Sequence, residues 1–290
     1  MNLPKLNNFQ IDDVIKSALR EDITSWDLST NAIYEDNKLA KISLISKDNG
    51  VVSGLDVFKR TFKILDDEIF FVDYKKEGDE VSHGDLVLEI IGKASSMLSG
   101  ERVALNFLQR MSGIASLTKN MIDALDDPNI AIVDTRKTTP NLRIFEKYSV
   151  RVGGGNNHRY NLSDGIMLKD NHIDAAGSIK RAVELVRKAE PFIKKIEVEV
   201  ESLDMLREAL DSNVDIIMLD NMDIDTIKEA INIVDGQALI ECSGNIEVDN
   251  ISRFRNLKID FISSGSLTHS AKSLDFSLKN LRYIDEWNSI

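Results

Sequence analysis

Side chains that bind anions are concentrated in one stretch of the chain, residues 134–172. This stretch holds seven arginine or lysine residues and four aspartate or glutamate residues, in a chain of net charge −12. It also contains the triplet Gly153–Gly155 and the pair His158-Arg159. Guanidinium groups and backbone N–H groups of glycine turns both bind carboxylate and phosphate oxygens. The stretch predicts a pocket for a polyanion; a solvated basic loop is disfavoured, because strand-like apolar runs separate the cations.

Two acids accompany these cations. Glu199 and Asp220 each stand at the end of an apolar run, and Glu197 has the same strand parity as Glu199. They either balance the charge of Lys169 or Arg159, or contact ribose hydroxyls, Mg²⁺ or a developing cationic carbon.

Two small turns follow the last two apolar runs. They read Ser243-Gly244-Asn245 and Ser264-Gly265-Ser266. In an α/β barrel this position often binds a phosphate through backbone N–H groups and helix N-termini. The triplet Gly153–Gly155 is not a dinucleotide-binding fingerprint, because it lacks both the spacing and the strand-then-helix context.

The four histidines show no zinc-type spacing. His158, beside Arg159, is the best functional candidate among them. His172 is expected to order the loop of Lys169, and His269 either contacts phosphate or caps a helix. Cys242 is expected to be a buried structural thiol.

The composition excludes several classes of protein. The chain has 290 residues, of which 42% are hydrophobic and 29% charged, as in ordinary globular proteins. Its pI near 4.9 argues against a general nucleic-acid or anionic-membrane surface. A single cysteine excludes an internal disulfide framework, and no apolar run approaches the roughly 20 residues of a membrane span. With no secretory pattern at the N-terminus, these features predict a cytoplasmic protein.

The first third of the sequence predicts a mixed α/β region. Apolar spacing indicates helices at 10–22 and 55–65, a strand at 38–46 and short strands within 69–98. A long helix is expected to begin at a Ser99 cap and to end near Leu125, before Asp126-Asp127-Pro128.

From residue 129 onward, short apolar runs alternate with helical stretches. The helices are predicted at 175–189, 203–211, 223–234 and 247–255. Six runs count as strands, and every one ends in polar residues. The C-terminal ends of parallel strands converge at the mouth of an α/β barrel, where active sites lie. A doubly wound sheet would place ligands only at its switch point, so the barrel is favoured.

Taken in order and spacing, the motifs strongly resemble the quinolinate phosphoribosyltransferases, the decarboxylating nicotinate-nucleotide pyrophosphorylases. The matching segments are ALREDITSWDLST, ERVALNFLQRMSGIAS, DTRKTTP, GGGNNHR, GIMLKDNH, IEVEVE, IIMLDN, ECSGNI and ISSGSLTHS. The resemblance implies an N-terminal α/β sandwich at 1–110, joined by 272–290, and an incomplete seven-stranded α/β barrel at 111–271. It also implies a homodimer with shared active sites, or a higher oligomer.

The implied reaction joins quinolinate to phosphoribosyl pyrophosphate with Mg²⁺, and gives nicotinate mononucleotide, pyrophosphate and CO₂. The resemblance assigns the quinolinate carboxylates to Arg136, His158, Arg159 and Lys169, with Arg102 reaching in from the partner subunit. Lys137 would engage the phosphoribosyl donor beside Thr135, and Glu199 and Asp220 would contact the ribose. The two small turns would take the 5′-phosphate. The catalytic residues are therefore expected to be Lys137, Lys169, Glu199 and Asp220, with no direct metal-ligand cluster.

Two positions depart from the family pattern. Asn141 and Asn161 stand where the family often has glycine, and asparagine tolerates positive φ better than most residues. The alternatives are a molybdate-transport-associated paralogue, against which the KDNH of Lys169–His172 counts, and a non-catalytic phospho-ligand-binding barrel, which would not need Glu199 and Asp220. A metal-dependent hydrolase is poorer still, for want of ligand clusters.

Overall fold

The computed structural model describes residues 5–33, 38–193 and 195–284, and they form two compact units. The first unit holds the described residues up to Lys119, Thr139–Gly154 and those from Ser270 onward. The second comprises Asn120–Thr138 and Gly155–His269. The sequence did not predict that Thr139–Gly154 packs with the first unit.

The described strands, in chain order, are β1 Leu39–Ser46, β2 Gly50–Val51, β3 Phe70–Asp73, β4 Glu80–Val81, β5 Leu86–Lys93, β6 Ala131–Val133, β7 Ile166–Leu168, β8 Ile196–Val200, β9 Ile216–Asp220, β10 Leu239–Ser243, β11 Phe261–Ser263 and β12 Phe276–Tyr283. The described α-helices are α1 Asn8–Asp22, α2 Leu28–Ile33, α3 Leu55–Leu65, α4 Ala94–Leu125, α5 Arg143–Val152, α6 Asp170–Ala176, α7 Ile179–Ala189, α8 Leu203–Asp211, α9 Ile224–Val234 and α10 Ser266–His269. None of these helices is both long and apolar enough to cross a membrane.

An antiparallel sheet of order β12-β1-β5-β3 forms the frame of the first unit. Every second residue of β1 is buried, among them Ala40, Ile42 and Leu44, so one face of the sheet packs on the core. Phe58 and Phe62 of α3 join that core. On α1, Ile11, Ile15 and Leu19 recur at four-residue spacing and pack in a second cluster with residues of α3, α4 and α5.

A parallel sheet of order β6-β11-β10-β9-β8-β7 forms the second unit. Its six strands are the six apolar runs counted in the sequence, so the predicted α/β architecture with a parallel βα repeat is confirmed. The resemblance implied seven strands. In the described residues, the free side of β6 instead carries an isolated parallel bridge between Val133 and Asn156.

Two predicted elements were wrong in detail. The helix expected at 247–255 is only a 3₁₀ helix, Ile251–Phe254. There the Asn250 side chain accepts from the backbone N–H of Glu247 and donates to the carbonyl oxygen of Asn245, and such bonds compete with a regular helix. The helix expected to begin at Ser99 begins at Ala94. Ser99 lies inside it and donates to Asp27.

A further set of elements was missed. The sequence did not indicate α2, α5 or β12. Its helix at 175–189 contains α7 but only the last two residues of α6, and Gly177, with a φ of 89°, separates the two helices. Of the two asparagines that replace family glycines, Asn141 has a φ of 65°. Asn161 instead accepts a hydrogen bond from the backbone N–H of Ser163.

Gly113→Ala is expected to destabilise the first unit by about 1–3 kcal/mol, the usual cost of overpacking. Gly113 lies within α4, where alanine is intrinsically better by about 1 kcal/mol. However, a Cβ at this position would overlap the backbone carbonyl oxygen of Lys272, which cannot move as a flexible side chain can. Thermal unfolding measures the effect. Asn106→Ala, on an exposed face of the same helix, is the matched control. An unchanged or raised midpoint for Gly113→Ala would contradict the close packing of the C-terminal segment on α4.

Candidate active site

A cavity of about 500 Å³ opens at the C-terminal ends of the parallel strands in the second unit. Fourteen of the fifteen candidate residues line it, namely Thr135, Arg136, Lys137, His158, Arg159, Lys169, Glu199, Asp220, Ser243, Gly244, Asn245, Ser264, Gly265 and Ser266. His269 lines it as well. The structure therefore brings together cations, acids and small turns that are far apart in the sequence.

The cationic stretch divides between the two units. Arg136, Lys137, Arg159 and Lys169 line the cavity. The other three cations of the stretch, Arg143, Lys147 and Arg151, lie on α5 in the first unit and do not line it. The predicted site residues of the stretch all line the cavity, and the other three cations were not among them. A helix of the first unit interrupts the stretch.

Arg159 is a partly buried cation of the cavity. Its Nη1 donates to the carbonyl oxygen of Gly165 at 2.8 Å. Burial, and then the neighbouring charge of Arg136, lower the pKa of Arg159 below its usual range. Since a guanidinium stays charged in proteins, two cations are held close together here. An anion that binds between them relieves their repulsion.

Lys169 forms an ion pair with Glu199 across the ends of β7 and β8. The backbone N–H of Lys169 donates to Nδ1 of His172 at 3.1 Å, so His172 orders this loop, as the sequence predicted. Asp220, at the end of β9, accepts from the side chain of Asn221 at 3.0 Å. Glu199 and Asp220 thus present carboxylate oxygens to the same cavity as Lys169.

The loop after β6 is fixed at its backbone. The N–H of Lys137 donates to Oγ1 of Thr135 at 3.0 Å, and its carbonyl oxygen accepts from Oγ1 of Thr268 at 2.7 Å. A Cβ at Gly265 would lie 2.8 Å from Cδ of Lys137, so the lysine side chain passes directly over that glycine. The β6 loop and the turn after β11 are packed as one surface.

The two small turns are also locked to each other. Gly244 has a φ of 108°, and a Cβ there would overlap the side chain of Asn221. The hydroxyls of Ser264 and Ser266 lie 2.7 Å apart, and Ser264 donates to the carbonyl oxygen of Ile246 at 2.8 Å. These contacts hold both turns at the cavity wall, where backbone N–H groups suit a phosphate.

His158 lies between the cavity and the barrel interior. Its Nε2 is 2.9 Å from a carboxylate oxygen of Glu197 and 3.6 Å from one of Glu241. Its Nδ1 accepts from the backbone N–H of Arg159 at 2.8 Å, and its own backbone N–H donates to the buried Asp134 at 3.0 Å. Both ring nitrogens therefore contact other parts of the chain.

Glu241 is the functional candidate that the sequence did not single out. It is 2% exposed and lines the cavity floor. Burial first, and the charge of Glu197 second, raise the pKa of Glu241 to about 7. The signal that could have identified it was strand parity, since Glu241 stands two residues before Ser243 as Glu197 stands two before Glu199.

Arg102 does not line this cavity. It belongs to the first unit, where it is exposed and borders a different cavity of about 250 Å³ with Phe107, Arg110 and Glu146 among the lining residues. A role for Arg102 at the barrel cavity therefore rests on the expectation of a shared site.

Comparison with known proteins places both parts of the chain in one family. The quinolinate phosphoribosyl transferase N-terminal domain matches residues 27–112, and the C-terminal domain of that family matches residues 114–279. A probable nicotinate-nucleotide pyrophosphorylase (carboxylating) of Bacillus subtilis is 41% identical over 273 residues, 94% of each chain. Among solved structures, NadC from Streptococcus pyogenes is 59% identical, with a TM-score of 0.95 over 97% of this chain and 100% of that one. The nicotinate-nucleotide pyrophosphorylase from Francisella tularensis is 33% identical, with a TM-score of 0.89 over the same shares.

The wild-type protein is expected to lose stability at neutral and alkaline pH because Glu241 ionises, and Glu241→Gln is expected to prevent this loss. Glu241 holds its proton more tightly in the folded protein than in the unfolded chain, where 4.5 is its ordinary pKa. The stability linked to this proton is therefore complete below about pH 4.5 and is lost as pH rises through about 7. Because glutamine stays neutral, the thermal midpoint of the variant should rise relative to that of the wild type as pH is raised. Glu229→Gln, exposed on α9, is the control, and parallel curves for wild type and Glu241→Gln would refute the raised pKa.

Proposed function

Because the chain belongs to the quinolinate phosphoribosyltransferase family, we propose that the barrel cavity is its active site. The chain transfers the phosphoribosyl group of phosphoribosyl pyrophosphate to quinolinate with decarboxylation, and forms nicotinate mononucleotide, pyrophosphate and CO₂. It is a pentosyltransferase of NAD biosynthesis. The observation that carries the assignment of the site is that four cations (Arg136, Lys137, Arg159 and Lys169) and four acids, Glu199 and Asp220 among them, line one cavity at the strand ends.

Both substrates are anions and repel each other in solution. Quinolinate carries two carboxylates, and phosphoribosyl pyrophosphate carries a phosphate and a pyrophosphate. Arg136, Arg159 and Lys169 bind the quinolinate carboxylates, since guanidinium forks match carboxylates in a bidentate manner. His158, held by Glu197, completes this side of the cavity. The cations contribute chiefly by holding two mutually repelling molecules in reacting geometry.

The opposite wall of the cavity receives the phosphoribosyl donor. Lys137, beside Thr135, engages the pyrophosphate, and Glu199 and Asp220 lie at the ribose. The turns Ser243–Asn245 and Ser264–Ser266 take the 5′-phosphate through backbone N–H groups and hydroxyls. The contacts that fix these turns and Lys137 support this orientation.

The chemistry follows from where charge develops. The pyridine nitrogen attacks the anomeric carbon as pyrophosphate leaves, and the sugar becomes cationic in the transition state. Glu199 and Asp220 stabilise that charge electrostatically. When the carboxylate at the adjacent carbon departs as CO₂, its bonding electron pair stays on that carbon, where the positive ring nitrogen stabilises it, and a proton from solvent then bonds to the carbon.

Magnesium enters with the donor as part of the substrate complex. Asp220, whose oxygens border the cavity, suits a hard cation that keeps several of its waters. The ion neutralises pyrophosphate charge when bound. Asp220 and Glu199 hold their positions through Asn221 and Lys169.

A homodimer, alone or within a larger oligomer, completes the site. Arg102 is exposed on the first unit and does not line the barrel cavity of its own chain. A partner subunit that presents Arg102 to the quinolinate side would supply one more guanidinium. With its single buried cysteine, the chain suits the reducing cytoplasm, where we place the reaction.

Arg136→Ala and Lys169→Ala are each expected to reduce kcat/KM for quinolinate by at least about 100-fold, the loss of one to two charge-assisted hydrogen bonds. The assay is release of label from quinolinate labelled in its 2-carboxyl group, with and without phosphoribosyl pyrophosphate. Arg207→Ala, exposed on α8, controls for the loss of a positive charge. Near-normal kinetics in either cavity variant, with an unchanged thermal midpoint, would contradict the assignment of this cavity as the active site. Release that does not depend on the donor would favour another function.

Mixing Arg102→Ala with Lys169→Ala subunits tests the shared site. Each variant alone should be inactive. A heterodimer holds one site with an intact barrel and an intact Arg102 from its partner, so random mixing should restore about a quarter of wild-type activity. If Arg102 acts within its own chain, or not at all, the mixture regains nothing beyond the sum of the two variants.

A further inference from the structure

Two buried carboxyl groups meet inside the barrel, on strands that flank β9. Glu197 of β8 is 4% exposed and Glu241 of β10 is 2% exposed. One oxygen of each approaches Nε2 of His158, at 2.9 and 3.6 Å. The other oxygen of each, Oε1, has no hydrogen-bond partner among the described residues.

Two ionised carboxylates at this separation and burial would be costly. Like charges in a low-dielectric site raise one another's pKa until one group keeps its proton. Desolvation and the charge of Glu197 both raise the pKa of Glu241. Below about pH 7 one proton therefore remains with the pair, and one negative charge remains to accept the Nε2 proton of His158.

The charge of the acid pair influences the position of Arg159, the proposed substrate-binding cation, through His158. Since Nδ1 of His158 accepts from the backbone N–H of Arg159, the proton of the neutral ring is on Nε2, directed at Glu197. The ring is thus held from both sides. Arg159 follows it in sequence, and its guanidinium donates to the carbonyl oxygen of Gly165. A change in the acid pair would move His158 and, with it, the backbone of Arg159.

We propose that Glu197 and Glu241 share one proton and are positioning residues for quinolinate, because their single negative charge holds His158 and thereby Arg159 in place. The inference rests on the proposed function of the cavity. The shared proton also keeps a second negative charge from the floor of a cavity that receives two anions. When both carboxyls ionise, quinolinate binding weakens.

The other charged groups around Glu241 leave it as the group that titrates near neutrality. Burial and Glu197 on β8 oppose its charged form, whereas His158, Ser263 and Lys169 favour it. Its neighbour on β9 is Met218, two residues before Asp220, and its neighbour on β11 is Phe261.

A second, lower cavity supplies a route for the proton. It measures about 270 Å³ and is lined by His158, Glu197 and Glu241 together with Arg159, Lys195 and Asp164. Glu241 lines both cavities, whereas Glu197 lines only this second one, so the pair can exchange its proton with solvent while substrate fills the barrel cavity.

A metal ion is the rival occupant of the same three side chains. Their donor atoms all lie within 4.8 Å of one another, a spacing that a divalent cation could bridge. The cations Arg159 and Lys169 nearby disfavour it, and a proton satisfies the pair with the hydrogen bonds already present. Metal analysis of the purified protein separates the two occupants.

The test has two parts: a spectroscopic measurement of carboxyl protonation and a kinetic measurement of substrate binding. Infrared spectroscopy should show a protonated carboxyl band at neutral pH in the full-length protein, and Glu241→Gln should remove it.

In steady-state assays between about pH 6 and pH 9, wild-type kcat/KM for quinolinate should fall as pH rises through neutrality, and Glu241→Gln should flatten that fall. The double variant Glu197→Gln/Glu241→Gln, which leaves no negative charge beside His158, should raise KM for quinolinate about tenfold. Its KM for phosphoribosyl pyrophosphate should change less than twofold.

Each contrary result is decisive. Absence of the infrared band overturns the shared proton whether or not the protein is active, so this failure is distinct from failure of the proposed function. Parallel pH profiles for wild type and Glu241→Gln, or equal rises in both KM values in the double variant, overturn the positioning role. Stoichiometric metal that is lost in Glu241→Gln assigns the cluster to a cation instead. Glu229→Gln, exposed on α9, should match wild type throughout.

Discussion

The site depends on charges of like sign being held close together inside one barrel. The charge of Arg136 disfavours the charge of Arg159, and the charge of Glu197 disfavours the charge of Glu241. An anionic substrate beside the two arginines would offset the first repulsion, whereas a proton on the acid pair and the contact with His158 offset the second.

Strand alternation is what places these groups. Residues two apart on one strand face the same side, so Glu197 and Glu199, Met218 and Asp220, and Glu241 and Ser243 point in pairs into the barrel. Because Met218 pairs with both Glu199 and Glu241, these three lie in one layer, and Asp220 with Ser243 forms the next. The outer layer is polar and meets the cavity, while the layers below mix acids with apolar side chains, as barrel interiors are packed in layers.

The sequence predicted whatever depends on local periodicity and missed whatever depends on packing between distant segments. The six parallel strands and the polar groups at their ends followed from spacing alone. Strand parity places Glu241 on the same side as Ser243, but nothing local shows that it meets Glu197, because that meeting depends on β8 and β10 both flanking β9. The helix predicted at 247–255 failed because the side chain of Asn250 bonds to nearby backbone groups. The sequence also did not predict that α5 belongs to the first unit, since the cations of α5 resemble those that line the cavity.

The acids explain why a cavity built to bind anions is not uniformly basic. Cations bind the substrate carboxylates and phosphates almost equally well in the ground state and in the transition state. They therefore increase substrate affinity more than the rate of the chemical step. A carboxylate near the sugar carbon is unfavourable beside anionic substrates but favourable once that carbon becomes cationic, and this difference accelerates the chemical step. In the proposed mechanism Glu199 has this role, and its ion pair with Lys169 offsets its charge. Substrate carboxylates that draw Lys169 toward themselves would leave the charge of Glu199 less compensated at the point in the reaction where it would stabilise the transition state.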